Sequence, residues 1–265
     1  AWGMRAVANQ NIANYKQALE DWNQVERLKG PSLEIFANRG NILFNQGNID
    51  AAANEWTKAI EMDKEQAFLY ANRGIAYGRL GKLDLAISDF QQAIRLNPKE
   101  YTAYNSLGFI YYLQQEYDQA IENYSKALNN YTLDPKVYYN RASAYRKIVN
   151  YQAALNDLNE SIRLEPSYVE AYIARAGTYF TMLDFDAAIR DYNQALELDP
   201  DNIIANYNRS LTYLQQGAYD QAISDLSALI EKHPDLYLCY QQRALAYFQK
   251  NQFESAIRDW KEYLR

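Results

Sequence analysis

The chain has 265 residues, 48% of them hydrophobic, with 33 acidic side chains against 27 basic ones and a net charge of −6. That balance excludes a nucleic-acid backbone as the main partner, because such a partner needs a dense Lys/Arg surface. A single cysteine, Cys239, excludes an internal disulfide framework, and no apolar run reaches the roughly 18 residues that a membrane-spanning helix requires.

Taken in chain order, the elements repeat. Small residues stand at Ala18, Ala52, Ala86, Ala120, Ala154, Ala188, Ala222 and Ala256, each 34 after the last. Four places after each alanine comes a large side chain: Trp22, Trp56, Phe90, Tyr124, Leu158, Tyr192, Leu226, Trp260. Twelve places before it comes another small one: Ala6, Gly40, Gly74, Gly108, Ala142, Ala176, Ser210, Ala244. An unbroken period of this length predicts a stack of one supersecondary unit, with each copy touching its neighbours. The copies are a partial repeat at 1–32, full repeats at 33–66, 67–100, 101–134, 135–168, 169–202 and 203–236, and a last one at 237–265. Together they read as one solenoid over 1–265.

Within a repeat the apolar spacing is helical. Tyr70, Gly74 and Tyr77 mark one face; Leu83, Ala86, Ile87, Phe90, Ala93 and Ile94 mark a second helix. Leu80-Gly81-Lys82 supplies the turn, and Leu96-Asn97-Pro98 closes the unit, since proline has no amide to continue a helix. The stop recurs at Leu164-Glu165-Pro166, Leu198-Asp199-Pro200 and Lys232-His233-Pro234. Small residues are expected to let the two helices approach, Gly74 facing Ala86 and Ala176 facing Ala188, with aromatic rings filling the gap to the next repeat.

The repeat at 101–134 departs most from the pattern. Gln115 replaces the turn glycine, Asn130 the leucine and Thr132 the proline, and Asp134-Pro135 follows as a cap with proline in the first helical turn. A longer connection at 129–134 and a hinge there are expected. The first repeat begins inside its first helix at Trp2 and the last ends at Arg265 without a polar capping helix, so the chain is expected to be cut from a longer protein or to pack an end on another copy.

The pattern aromatic-x-x-x-Gly-x-x-Tyr, then Gly-x-Tyr-x-x-Ala-Ile, then aromatic-x-x-Ala-Ile-x-Leu-x-Pro resembles the tetratricopeptide repeat (TPR). It is clearest in Tyr70–Pro98 and Tyr172–Pro200. The resemblance covers the whole chain and implies an all-α fold, a right-handed superhelical α-solenoid of antiparallel helix pairs. It also implies that the first helices line a concave groove, and that the protein binds other proteins.

The seventh place of the repeat, apolar in the commonest form of that family, holds Arg5, Arg39, Arg73, Arg141, Arg175, Arg209 and Arg243. Sixteen places on stand Asp21, Glu55, Asp89, Asp157, Asp191, Asp225 and Asp259. The one exception loses both partners together, at Leu107 and Asn123. Joint loss predicts an Arg–carboxylate strut between the two helices of a repeat rather than a row of ligand hooks.

For the groove, the resemblance singles out the second, fifth, sixth, ninth, twelfth and thirteenth places. The sixth holds Asn38, Asn72, Asn140 and Asn208. Asparagine is both donor and acceptor, so such a row suits the amides of an extended peptide or, equally, bonds within its own repeat. Phe44, Phe109, Tyr112, Tyr139, Phe180, Tyr207 and Leu211 are apolar groove candidates, and Arg79, Arg146 and Lys147 are basic ones. First helices carry only two acids, Glu34 and Glu170, so the expected guest is an extended or helical segment with apolar anchors and negative charge. The family's clamp for acidic chaperone tails finds only Lys136 in place; Ala71, Ile75 and Ser106 depart from it.

No phosphate loop or metal-ligand spacing occurs, and the one histidine, His233, sits in a helix stop. The chain therefore reads as a scaffold, not an enzyme, with no cofactor and no metal. Its expected partner is another protein, not nucleic acid and not a membrane, with a homodimer through the uncapped ends also open. Alternative readings are a substrate-recruiting domain of a larger enzyme and a self-associating assembly module. The compartment stays open, with the cytoplasm favoured by the single cysteine and by the absence of a signal or transmembrane segment within these residues.

Overall fold

The computed structural model describes residues 1–131 and 133–264. Among these residues the chain is all-α, with sixteen helices and no strand. It forms two compact units, Ala1–Thr132 and Leu133–Arg265. The first pairs α1 (Trp2–Asn11) with α2 (Tyr15–Lys29), α3 (Leu33–Asn45) with α4 (Ile49–Met62), α5 (Ala67–Arg79) with α6 (Leu83–Leu96), and α7 (Tyr101–Leu113) with α8 (Tyr117–Asn130). The second pairs α9 (Pro135–Lys147) with α10 (Tyr151–Leu164), α11 (Val169–Thr181) with α12 (Phe185–Leu198), α13 (Ile203–Gln216) with α14 (Tyr219–Lys232), and α15 (Tyr237–Gln249) with α16 (Phe253–Tyr263).

Burial follows the period. All eight recurring alanines, Ala18 to Ala256, are fully buried. The large side chains four places on are buried too, from Trp22 to Leu226, while Trp260 in the last repeat is half-buried. Contact between the two helices of a pair is made differently from the facing of Gly74 and Ala86 expected above. A Cβ added at Gly74 would first meet the Phe90 ring, at 2.7 Å. Gly40 meets Trp56 at 2.6 Å and Gly108 meets Tyr124 at 2.7 Å in the same way. The ring thus lies across the seam of its own pair. At Gly40, Gly74 and Gly108 a side chain on the second helix crosses the seam and lies on bare backbone.

Each pair turns through one left-handed residue, at Ala13, Gly47, Gly81, Gln115, Val149, Leu183, Gly217 and Asn251, with φ between 58° and 82°. Glycine fills three of these places at no steric cost, whereas a β-branched residue such as Val149 is strained there. Gln115 keeps the same turn at φ 65°, so loss of the glycine adds strain without changing the path.

The longer connection expected at 129–134 is absent. Helix α8 continues to Asn130 and α9 begins at Pro135, leaving 131–134, the same number of positions as 97–100 and 165–168 in neighbouring repeats. Asp134 accepts a bond from the Lys136 amide at 2.8 Å, and Pro135 occupies the first helical turn, so α9 starts without the earlier Leu-x-Pro stop. The boundary of the two compact units falls in this segment. Thr132 itself lies outside the described residues.

Candidate functional site

The seventh-place arginines are engaged in architecture. Arg73 donates through Nε and Nη2 to both oxygens of Asp89, each at 2.8 Å. Arg5, Arg141, Arg175, Arg209 and Arg243 make the same two-pronged contact with Asp21, Asp157, Asp191, Asp225 and Asp259. Arg39 donates to Glu55 at 2.6 Å and, through Nη1, to Glu26 at 2.6 Å.

The strut also does something the sequence did not reveal. The remaining nitrogen, Nη1, reaches back to the preceding repeat: Arg39 to Asn23, Arg73 to Thr57, Arg175 to Asn159, Arg209 to Asn193 and Arg243 to Ser227, at 2.7–3.0 Å. One planar guanidinium therefore ties three helices, a task its fixed fork of donors suits and an ammonium does not. Hydrogen bonding from Arg5 holds the Asp21 carboxyl below the usual carboxylate range, against the opposing effect of desolvation. Donating hydrogen bonds to Asp191 likewise raises Arg175, against desolvation. Removing one partner of such a half-buried pair strands the other charge. The arginines are unavailable as ligand hooks.

First helices of successive pairs touch one another, α5 with α7 in the first unit and α9 with α11, α11 with α13 and α13 with α15 in the second. That contact puts them on the inner side of each unit. The expected site residues have different fates there. In the first unit, the Asn38 Nδ2 donates to the Glu34 carbonyl of its own helix at 2.8 Å, so its donor is used at home. Asn72 Nδ2 instead donates across repeats to Asn41 Oδ1 at 3.4 Å. Phe44 packs against Trp56, ring centroids 5.7 Å apart, and the Arg79 guanidinium lies over Phe44 at 4.2 Å. Phe109 is 51% exposed, and Tyr112 is edge-on to Tyr117 at 5.6 Å.

In the second unit, Tyr139 packs on Tyr168 at 5.4 Å, and Tyr207 packs against the cluster of Leu226, Leu229 and Cys239. Both are half-buried and take part in packing. Phe180 meets Phe185 across its own turn at 5.7 Å. Arg146 is half-buried over Gly177, where a Cβ would stand 3.3 Å from Nη2. The nearby Tyr192 hydroxyl is pushed up to about 12 by burial, with Arg146 pulling the other way. Lys147 is exposed; Asn140, Asn208 and Leu211 are half-buried.

Phe44 and Asn72 are brought together around a cavity of about 260 Å³ on the inner side of the first unit, and Arg79 lies over Phe44. Its polar wall consists of Gln10, Asn41, Asn45 and Asn72, from α1, α3 and α5. Its apolar floor is Phe44, Trp56 and Ile75. Two buried atoms of this lining, Gln10 Oε1 and Trp56 Nε1, have no hydrogen-bond partner among the described residues. Gln10, Asn41, Asn45 and Trp56 were not among the site residues expected from sequence. Asn41 and Gln10 do stand at the ninth and twelfth places, which belong to the groove, so the signal was present but masked by the more regular sixth-place row. Trp56 had no such signal, since it reaches in from a second helix.

The family described as Tetratricopeptide repeat matches residues 72–136, 135–168 and 205–236, and TPR repeat matches 40–81 and 184–217. Among curated proteins no relative matches. Among solved structures, the chain is 26% identical to YrrB, described as a TPR protein with an unusual peptide-binding site, covering 71% of this chain and 96% of that one with a TM-score of 0.62. MamA is also 26% identical, covering 62% of this chain and 90% of that one, with a TM-score of 0.58. The C-terminal part of a TPR repeat-containing protein from Cytophaga hutchinsonii is 20% identical over 90% of this chain and 98% of that one, with a TM-score of 0.71.

Proposed function

Because the chain belongs to the tetratricopeptide repeat family, we propose that it is a protein-interaction scaffold whose first-helix faces hold a peptide segment of another protein. The observation that carries this reading is a division of labour among its cations. The arginines of the struts all have carboxylate partners, whereas Arg79, Arg146 and Lys147 on the inner faces have none among the described residues. Arg79, though exposed, lies on an aromatic ring, and the half-buried Arg146 lies against Gly177. A segment with apolar anchors and carboxylates complements such faces, the anchors for affinity and the charges for steering. The peptide-binding character of YrrB supports the same reading.

The test is a selection of random dodecapeptides on the full chain, followed by fluorescence anisotropy with the enriched sequences. Acidic, aromatic-containing peptides are expected, and the Arg79→Ala/Arg146→Ala/Lys147→Ala variant should bind them at least tenfold more weakly, about 1.4 kcal/mol. No enrichment, or equal affinity for a variant whose circular dichroism is unchanged, overturns the proposal.

A further inference from the structure

Three departures from the repeat coincide at one place in the second unit. The twelfth place of a repeat, apolar at Phe44, Phe180, Leu214 and Phe248, holds Arg146. The ninth place of the next repeat, filled elsewhere by Ile75, Phe109, Leu211 and Leu245, holds Gly177. The twenty-fourth place of that same repeat holds Tyr192, where Phe90 and Leu226 carry no polar atom. The other tyrosine at that place, Tyr124, shares its repeat with Phe109 at the ninth. The fold brings the three departures to one point. A Cβ at Gly177 would stand 3.3 Å from Arg146 Nη2 and 3.8 Å from the Tyr192 hydroxyl, and outside its own helix it would meet nothing else within 4 Å. The missing side chain thus leaves a notch on the inner side, flanked by groups from α9 and α12.

Both flanking groups are donors in want of an acceptor. Arg146 is half-buried and has no carboxylate partner among the described residues, and the Tyr192 hydroxyl makes no hydrogen bond to any of them. Asp191, the acid that acts on Tyr192, is held through both its oxygens by Arg175. Burial keeps the phenol protonated up to about 12, so it can donate at neutral pH. A half-buried cation favours an anion over a neutral carbonyl, because charge-assisted hydrogen bonds are roughly twice as strong as neutral ones. One guanidinium beside one neutral hydroxyl balances a single negative charge. A phosphate carries about −1.5 to −2 and is recognised by clusters of arginines. A carboxylate has one charge and two oxygens, one for each flanking group. Helix α11 touches α9 on one side and α13 on the other, so a chain can run past Gly177 and offer a side chain rather than its end.

We infer that Arg146 and Tyr192 form a subsite over Gly177 for the side-chain carboxylate of an aspartate or glutamate within the bound peptide. The inference rests on the peptide-binding reading above and narrows it to one position. The Tyr192 ring belongs to the core, while its hydroxyl serves the ligand. Phe180, half-buried and three residues on from Gly177 in α11, suits an apolar residue next to the acidic one.

The probe is a set of degenerate heptapeptide pools arrayed through their C-termini, so that no terminal carboxylate is free. The central residue is fixed as Asp, Glu, Asn, Gln or phosphoserine, and the array is incubated with the labelled full chain. Asp and Glu pools should retain roughly tenfold more protein than Asn and Gln pools, which match them in size but not in charge. Tyr192→Phe keeps the buried ring and should cut that preference about threefold or more, through loss of one hydrogen bond to a charged group. Arg146→Gln should abolish the preference. Gly177→Ala, which sets a methyl in the notch, should weaken it, and binding to the Asn and Gln pools should persist in all three variants. In the unaltered chain, where no folding defect intervenes, the Gly177 amide and Arg146 Nε–H signals should shift with N-acetylglutamate methylamide and not with N-acetylglutamine methylamide. Equal retention of acidic and amide pools overturns the subsite and leaves the scaffold standing. So does an acidic preference untouched by Tyr192→Phe and Gly177→Ala, or strongest retention by phosphoserine. If no pool binds above background, the scaffold reading itself is overturned and the subsite falls with it.

Discussion

Two glycines one helical turn apart in α5 should respond in opposite directions to the same change. A Cβ at Gly74 would stand 2.7 Å from Phe90 Cε1, whereas one at Gly78 would meet nothing within 4 Å. Carbon atoms in contact prefer about 3.5–4.0 Å, so Gly74→Ala forces the pair apart by close to an ångström or rotates the ring. Phe90 is 1% exposed and has no free space to enter. Overpacking of this kind costs about 1–3 kcal/mol, while replacing a helical glycine by alanine gains about 1 kcal/mol.

Gly78→Ala should therefore stabilise by about 1 kcal/mol, and Gly74→Ala should destabilise by about 1 kcal/mol once the two effects are combined. Adding Phe90→Leu to Gly74→Ala reproduces the pair found naturally at Ala142 and Leu158, so the double variant should be more stable than the sum of the single effects. Urea unfolding followed at 222 nm reads this directly, with midpoints compared because repeat arrays depart from two-state behaviour. A rise in midpoint for Gly74→Ala, or strict additivity with Phe90→Leu, refutes the ring-on-glycine account.

Other consequences are testable in the same way. Leu107→Arg puts a charge where a side chain is now 4% exposed, and it should lower the unfolding midpoint; adding Asn123→Asp should restore part of the loss, as seen in a double-mutant cycle with non-zero coupling. Val149 is 66% exposed and sits at φ 63°, so Val149→Gly should relieve left-handed strain, of about 1–2 kcal/mol, at the expense of glycine's extra chain entropy; a small rise in thermal midpoint is expected, and a fall counts against strain at the turn. Tyr192 is raised by burial to about 12. Its protonated form is favoured by folding, so the associated stability is full below its ordinary value of 10 and declines as pH rises from there towards 12. Tyrosinate absorbance should show a late-ionising fraction that vanishes in urea.

The helix pairs, their number and their core were legible without coordinates. A side chain that recurs every 34 residues at helical spacing has one environment in every copy, and the eight fully buried alanines show how strongly that constraint acts. The strut was legible for a related reason: Leu107 and Asn123 change together because an unpaired charge in that seam is costly. Other features depended on which atoms meet across helices. Sequence spacing paired Gly74 with Ala86, but the size of the Phe90 ring decided that it would cover the glycine itself. It gave Tyr139 and Tyr207 to the groove and could not show that Tyr139 also packs on Tyr168 and Tyr207 on the cluster of Leu226, Leu229 and Cys239. It could not show that the third guanidinium nitrogen would find the preceding repeat. Nor could it gather Gln10, Asn41 and Asn72 around one cavity, because three side chains on three helices are related only by the way the pairs stack. Periodicity determines what every copy must bury, and only the tertiary arrangement decides what the differing residues can reach.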